Sequence, residues 1–535
     1  MLGVGLMFAS PAHAQFVCDS TIPGGDGGAT ATDAGSVACG TLANAIGGGT
    51  SVGAGAGSSA DAGNQNNTAI GNGAGLMVTG DENSAVGSSA GQTVTGDRNT
   101  AAGNFAGHEV TGAGNTASGY NSGTEVTGNN NTASGFASGQ RVDGNANTAS
   151  GVASGQTVTG DANAAYGSRA GQTVTGDNNT AIGTNSGQNV NGGNNSATGF
   201  SAGVNVTGDN NSAYGVAAGQ NVNGINNSAT GVLAGQIVTG DNNSAVGNNA
   251  GSVVAGDANS AFGAGAGLGV TGDRNVAMGF NAGSNITASD TIAVGTNAVA
   301  SANGAIAIGL NSSATGANAI AIGQGAVATG SIAAGTSAFA SNGGAAFGDF
   351  ATATGTNSTA VGPNATATHA NAAAFGNGAT TTRANQQVFG TASNSYTMPG
   401  LTSSHSKSSQ GKPTHLVTSN AGGDLAAYTF SELGLATGED LATINRQLDE
   451  TNAGVALAMS MENPDLTGNE RFGMAANWGA YEDANALGLS LMGVLGNNFL
   501  MEHDRVAISG GFGIGFDNGG GDDVYGGRVG LQWTH

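Results

Sequence analysis

Apolar and small residues recur along most of this chain at a fixed interval, longer than the period of any single helix or strand. Between residues 67 and 290 that interval is 16. Gly occupies thirteen positions at this spacing, from Gly80 to Gly272. Asn follows three residues after each, from Asn83 to Asn275, and Ala two further on, from Ala85 to Ala277. Val stands two residues before each of these glycines, from Val78 to Val270. Each unit holds two short β-compatible pieces, such as 84–86 and 93–95, between bends rich in Gly and Asn, which tolerate left-handed backbone. One such unit cannot bury a face, whereas stacked units bury a continuous one. The spacing therefore predicts a narrow parallel β-solenoid.

After about residue 290 the step shortens to 14, as at Gly295, Gly309 and Gly323, and again from Gly348 to Gly390. The strand becomes more apolar, reading TIAVG at 291–295 and AIAIG at 305–309 and 319–323. Alternation along a strand puts Ile306 and Ile308 on one face and Ala307 on the other. In the 16-residue units the residue before Gly ranges from Ile70 through Ser118 and Tyr166 to Met278, while the Ala before it is constant. The two faces thus have different neighbours, and the pattern leaves open which looks into the coil and which toward another chain. About 21 coils at ~4.8 Å per stacked strand make a rod about 100 Å long.

Residues 391–435 lose the repeat, with a hairpin predicted in 415–430. Thr437-Gly438-Glu439-Asp440 then opens a predicted helix. Its Leu441, Ile444, Leu448, Thr451, Val455 and Ala458 step by threes and fours, a short heptad seam. Four alternating segments follow Pro464. Their apolar faces carry Phe472, Met474 and Trp478; Leu487, Leu489 and Leu491; Ile508, Phe512, Ile514 and Phe516; and Val529, Leu531 and Trp533. Each segment is about 10 residues long, the span of a tilted membrane strand. The opposite face is Gly, Ala, Ser and Asn. Four strands do not close a barrel and lipid does not tolerate open sheet edges, so the pattern predicts oligomerisation, with the seam helix as its device.

The composition excludes several alternatives. Of 535 residues 100 are Gly, six are Pro and 8% are charged, against roughly 25% charged in ordinary domains. Collagen needs Gly at every third position and abundant Pro. A net charge of −23, with no Lys before Lys407, excludes nucleic acid as a partner, because binding phosphate requires basic clusters. The apolar start ends in Ala12-His13-Ala14 and reads as a signal peptide cut before Gln15, its usual basic segment being expected upstream of Met1. The two cysteines, Cys18 and Cys39, then lie in an oxidising compartment and fit one disulfide closing a Gly-rich loop.

Taken together, these residues resemble the YadA-like trimeric autotransporter adhesins. The AIAIG units are similar to that family's head repeats, which form left-handed parallel β-rolls in a trimer. Residues 436–535 are similar to its membrane anchor, a helix and four strands per chain that build a 12-stranded outer-membrane barrel. The resulting division is signal peptide 1–14, Gly-rich cap 15–66, head of 16-residue coils 67–290 and head of 14-residue coils 291–390. A neck at 391–435, a coiled-coil and pore helix at 436–463 and the barrel segment at 464–535 complete it. The resemblance implies a homotrimer that is inserted by the barrel-assembly machinery, exports its own head and displays it on the cell surface. Its expected targets are extracellular matrix, host-cell or abiotic surfaces. The alternative is a structural protein for autoagglutination, biofilm or a protective coat.

Other chemistry is weaker. Asp recurs in the turns at 81, 97, 161, 177, 209, 241, 257 and 273, where it could hold Ca²⁺ or bond to its own turn backbone. Five of the thirteen turns lack it, which favours the backbone role. The Thr column at 79, 95 and 111 lacks the paired flat array that ice binding needs. The seven His residues form no catalytic or zinc grouping, so neither an enzyme site nor a cofactor is expected. Contact candidates are the aromatic Tyr166, Tyr214 and Phe262, together with Asn318, Ile320 and Ile322 in the NAIAIG stretch.

Overall fold

The computed structural model describes residues 16–18, 27–57, 63–498, 501–516 and 522–535. The expected signal peptide, 1–14, lies outside the described residues. Two compact units divide the chain, residues 1–395 and 396–535.

The first unit is a parallel β-solenoid. Each 16-residue coil contributes a three-residue strand, such as Ser84–Val86, and all but the last a two-residue strand, such as Val94–Thr95. The three-residue strands stack in one 25-stranded sheet that runs through both repeat blocks. The two-residue strands form a 13-stranded sheet in the 16-residue block and a six-stranded sheet in the 14-residue block. Register is constant, so residues one repeat apart lie directly over one another: Ala85 on Ala101, Ala101 on Ala117, Val94 on Val110.

This stacking answers the question of faces. Ala looks into the coil and is buried from Ala69 to Ala374, whereas the residue after it looks out. The reason the column tolerates only Ala lies across the interior, where a Cβ on Gly91 would stand 2.7 Å from the Ala85 Cβ. A larger side chain at either position would collide with the opposite wall. The corner glycines answer to a second constraint. Gly87 has φ +137°, and a Cβ there would lie 2.4 Å from the Gly103 carbonyl oxygen of the next coil. Coils can close to hydrogen-bonding distance only because no side chain intervenes.

Between the Ala and Val columns runs a third, of buried Asn. Asn131 donates its Nδ2 to Asn115 Oδ1 at 3.0 Å and to the Gly144 carbonyl at 2.8 Å. The Asn115 oxygen also accepts the Asn131 backbone N–H. The amide ladder satisfies polar groups that the thin core would otherwise leave unpaired. It ends at the change of period, where the Thr291 hydroxyl donates to Asn275 Oδ1 at 2.7 Å. Beyond Ile286 the Val column gives way to Ala300, Ala314 and Ala328, each fully buried. Two residues fewer per coil thus go with a narrower core. The 16-residue coils enclose a thin axial cavity of about 100 Å³ lined by their Asn, Ala, Gly and Val columns, which ends at Ile286.

The second unit begins with a short helix, Ser404–Gln410, that the sequence pattern did not signal, and an antiparallel hairpin of His415–Ser419 with Leu425–Thr429. A long helix spans Gly438–Ser460, opened by a capping box in which Thr437 and Asp440 bond reciprocally. Four strands, Phe472–Tyr481, Ala484–Asn497, Arg505–Phe516 and Val524–Thr534, form an antiparallel meander in sequence order.

Candidate functional site

Two outward columns flank the corner glycine of each coil. One is the last residue of the three-residue strand, and it holds Tyr166, Tyr214 and Phe262, each 39–45% exposed. The other follows the glycine. It holds Tyr120, Phe136, Phe200 and Phe280, each 50–55% exposed. Tyr120 and Phe136 stack with centroids 5.2 Å apart, and Phe105 meets Tyr120 edge-on at 6.5 Å. Reading strand alternation alone missed this second column. Its signal was the residue after each corner glycine, followed at the 16-residue step.

In the 14-residue block, Asn318 is an exposed turn residue with φ +57°. Ile320 and Ile322 share the outward face, while Ala319 and Ala321 are fully buried.

The turn acids do not bond to their own turn. Asp97 Oδ1 accepts the backbone N–H of Asp81, one coil earlier, at 2.9 Å, and Asp161 Oδ1 accepts that of Asn145 at 2.7 Å. Asn129 serves Ala113 in the same way, which explains why a turn without Asp still stacks. Each such side chain ties coil to coil. Among the described residues no group of three or more His, Cys, Asp or Glu is placed to hold a metal ion. At the step between blocks, Arg274 clamps Asp290 through Nε at 2.6 Å and Nη2 at 2.9 Å. That hydrogen-bonded guanidinium holds the Asp290 carboxyl below its ordinary pKa. Near the N-terminus Cys39 is disulfide-bonded, and its register partner on the neighbouring strand is Cys18.

In the second unit the long helix has two working faces. Leu441, Ile444, Leu448 and Val455 are exposed, so the heptad seam has no partner among the described residues of this chain. Ala453, Ala456, Leu457 and Ser460 are buried against the strands. The helix approaches closely because the strands offer glycine there: a Cβ on Gly479 would lie 2.1 Å from the Ala456 carbonyl oxygen, and one on Gly515 would lie 2.4 Å from that of Ala453. The other face of the sheet is apolar and outward. Phe472, Trp478, Leu489, Leu491, Ile508, Phe512, Val529, Leu531 and Trp533 are exposed there, with Ile514 and Phe516 half-exposed. Both indoles reach a polar partner, Trp478 Nε1 donating to Asn485 at 3.2 Å and Trp533 Nε1 to Asp504 at 3.1 Å. No described helix is long and apolar enough to cross a membrane.

Residues 287–312 and 353–379, both centred on the 14-residue coils, match the YadA head domain repeat. These two stretches are similar to YadA head repeats. Among solved structures the chain is similar to the collagen-binding domain of the Yersinia adhesin YadA, at 26% identity. That match covers 27% of this chain and 73% of the other, with a TM-score of 0.19. No curated protein matches. These matched repeats carry Ile292, Ile306 and Ile308 outward and Ala293 and Ala307 inward, the arrangement of the 16-residue coils as well.

Proposed function

We propose that this chain is a trimeric surface adhesin whose residues 464–535 anchor it in the outer membrane and whose solenoid head is exported through the same barrel. The observation that carries the anchor reading is the two-sided sheet of the second unit. Its outer face is apolar, and its glycine-lined inner face holds a helix in backbone contact. Four strands do not close a barrel alone, three copies would bring twelve, and the exposed seam at Leu441, Ile444 and Leu448 is the surface through which three helices associate. Insertion requires the barrel-assembly machinery of the outer membrane.

Attachment rests on repetition. A rod that presents the same few side chains at every coil, three times over, binds by avidity without a single deep pocket. The targets are extracellular matrix, host-cell or abiotic surfaces. Displaying the full chain on a non-adherent cell and scoring attachment to panels of matrix proteins, glycans and bare plastic tests this. Self-clumping without attachment to any of them would replace adhesion with a structural coat.

A further inference from the structure

The four strands of the second unit carry two charged residues, Arg505 and Arg528, and no Asp or Glu. In a chain with 34 acidic and 11 basic residues, this is a local reversal of sign. The acids of this unit lie in the helix and its linker or between strands, as at Glu482, Asp483, Glu502 and Asp504.

Both arginines belong to the helix side of the sheet. Arg528 alternates in step with Gly526, where a Cβ would lie 3.0 Å from Leu457 Cδ2, and Arg505 in step with Gly513 and Gly515, which face Leu457 and Ala453. Register sets Ala475, Ser490, Gly511 and Arg528 in one row across the sheet. The Arg528 stem lies along that row, its Cγ 3.7 Å from where a Cβ on Gly511 would stand. Beside it the Ser490 hydroxyl is buried and makes no hydrogen bond among the described residues. Arg505 stands six residues along the strand from Gly511, a second level about 20 Å away.

Neither guanidinium is neutralised. Arg528 Nη2 donates to Asn463 Oδ1 at 2.7 Å. Arg505 donates to the carbonyls of Leu466 and Gly468, at 3.3 and 3.2 Å, and to that of Glu470. All of these acceptors are uncharged, and all belong to the linker between the helix and the first strand. Among the described residues no carboxylate forms an ion pair with either arginine.

We infer that Arg505 and Arg528 act on the head during export, lining the transport lumen with fixed positive charge that meets the carboxylates of the passing chain. The inference rests on the trimeric barrel and export reading above and adds which residues touch the moving chain. Three copies place three guanidiniums at each of the two levels. The chain that passes is their electrostatic complement, since residues 15–390 hold 18 Asp and Glu against five Arg and no Lys. A carboxylate entering a narrow lumen loses hydration, and opposite fixed charge on a low-dielectric wall offsets that loss. The rest of the row offers only Ala475, Ser490 and Gly511. When export ends, the linker takes the place of the moving chain and supplies the neutral acceptors.

The test times exposure of the head on intact cells, by protease accessibility after induction, in the full chain and in its Arg528→Gln and Arg528→Glu variants. Arg528→Gln keeps a donor for Asn463 and removes the charge. Each is combined with the natural head and with one whose eight recurring turn Asp residues are changed to Asn, a residue that already ties coil to coil at Asn129. With the natural head, exposure should slow severalfold in Arg528→Gln and further in Arg528→Glu. With the neutralised head the three rates should converge. Unchanged rates with the natural head overturn the inference. Equal slowing with both heads also overturns it and makes Arg528 a packing residue. If Arg528→Glu loses the heat-resistant trimer, Arg528→Gln decides. A parent chain that forms no such trimer, or exposes no head, overturns the barrel and export reading instead.

Discussion

Asn163 donates its Nδ2 to Asn147 Oδ1 at 3.0 Å, one coil back, and its backbone N–H bonds to the same oxygen at 2.9 Å. Its own Oδ1 serves Asn179 in the same way, one coil on. Each Asn is therefore both rung and rail. Asn163→Leu would leave the Asn179 groups without their acceptor in a buried setting, a loss of about 1–3 kcal/mol. Because coils interact only with neighbours, the loss should be local. Hydrogen exchange should show deprotection over 147–180 and none at 85–102.

Glycine substitutions should divide by position. Gly183→Ala places a Cβ 2.5 Å from the Gly199 carbonyl oxygen at φ +124°. It should cost more than the ~1–3 kcal/mol of backbone strain alone. Gly438→Ala, in the first turn of the long helix with open space around it, should stabilise that helix by about 0.5–1 kcal/mol. Thermal melting of the full chain with each change compares the two.

The Arg274–Asp290 clamp gives the step between blocks a pH dependence. Its carboxyl titrates below its ordinary value of 3.8, with the hydrogen bond from Arg274 as the main cause. The stabilising contribution is then complete above that ordinary value and is lost as pH falls through the lowered folded value. Asp290→Asn should weaken protection of 271–294 at neutral pH and match the parent in strong acid. Hydrogen exchange at the two pH values measures it.

On the anchor, Leu489→Arg puts a cation on the outward face of the second strand, where the bilayer midplane would cost it about 2–4 kcal/mol. Outer-membrane recovery of the full chain should fall sharply. Thr79→Arg, on the exposed column of the head, should leave recovery unchanged.

Much of this fold was legible because repetition writes itself into sequence. The 16- and 14-residue steps, the corner glycines and the alternation after Pro464 all appear as spacing. What was not legible depends on contacts between coils. Asp97 and Asn129 reach the backbone of the preceding coil, sixteen residues away, whereas local reasoning sought partners within their own turn. The inward direction of Ala85 follows from Gly91 across the core, a distance that no single strand encodes. Phe136 escaped notice because it belongs to a bend rather than to a strand, and period-2 reading stops at the glycine before it.

The central claim is that three copies of one chain share one barrel. Purifying the full chain from outer membranes in mild detergent and measuring its mass tests this most directly. The account predicts a heat-resistant species of three chains, each somewhat lighter than the 50.9 kDa of the uncut sequence, that collapses to one when the seam is broken by Leu448→Asp. A single chain stably inserted in the membrane would contradict it.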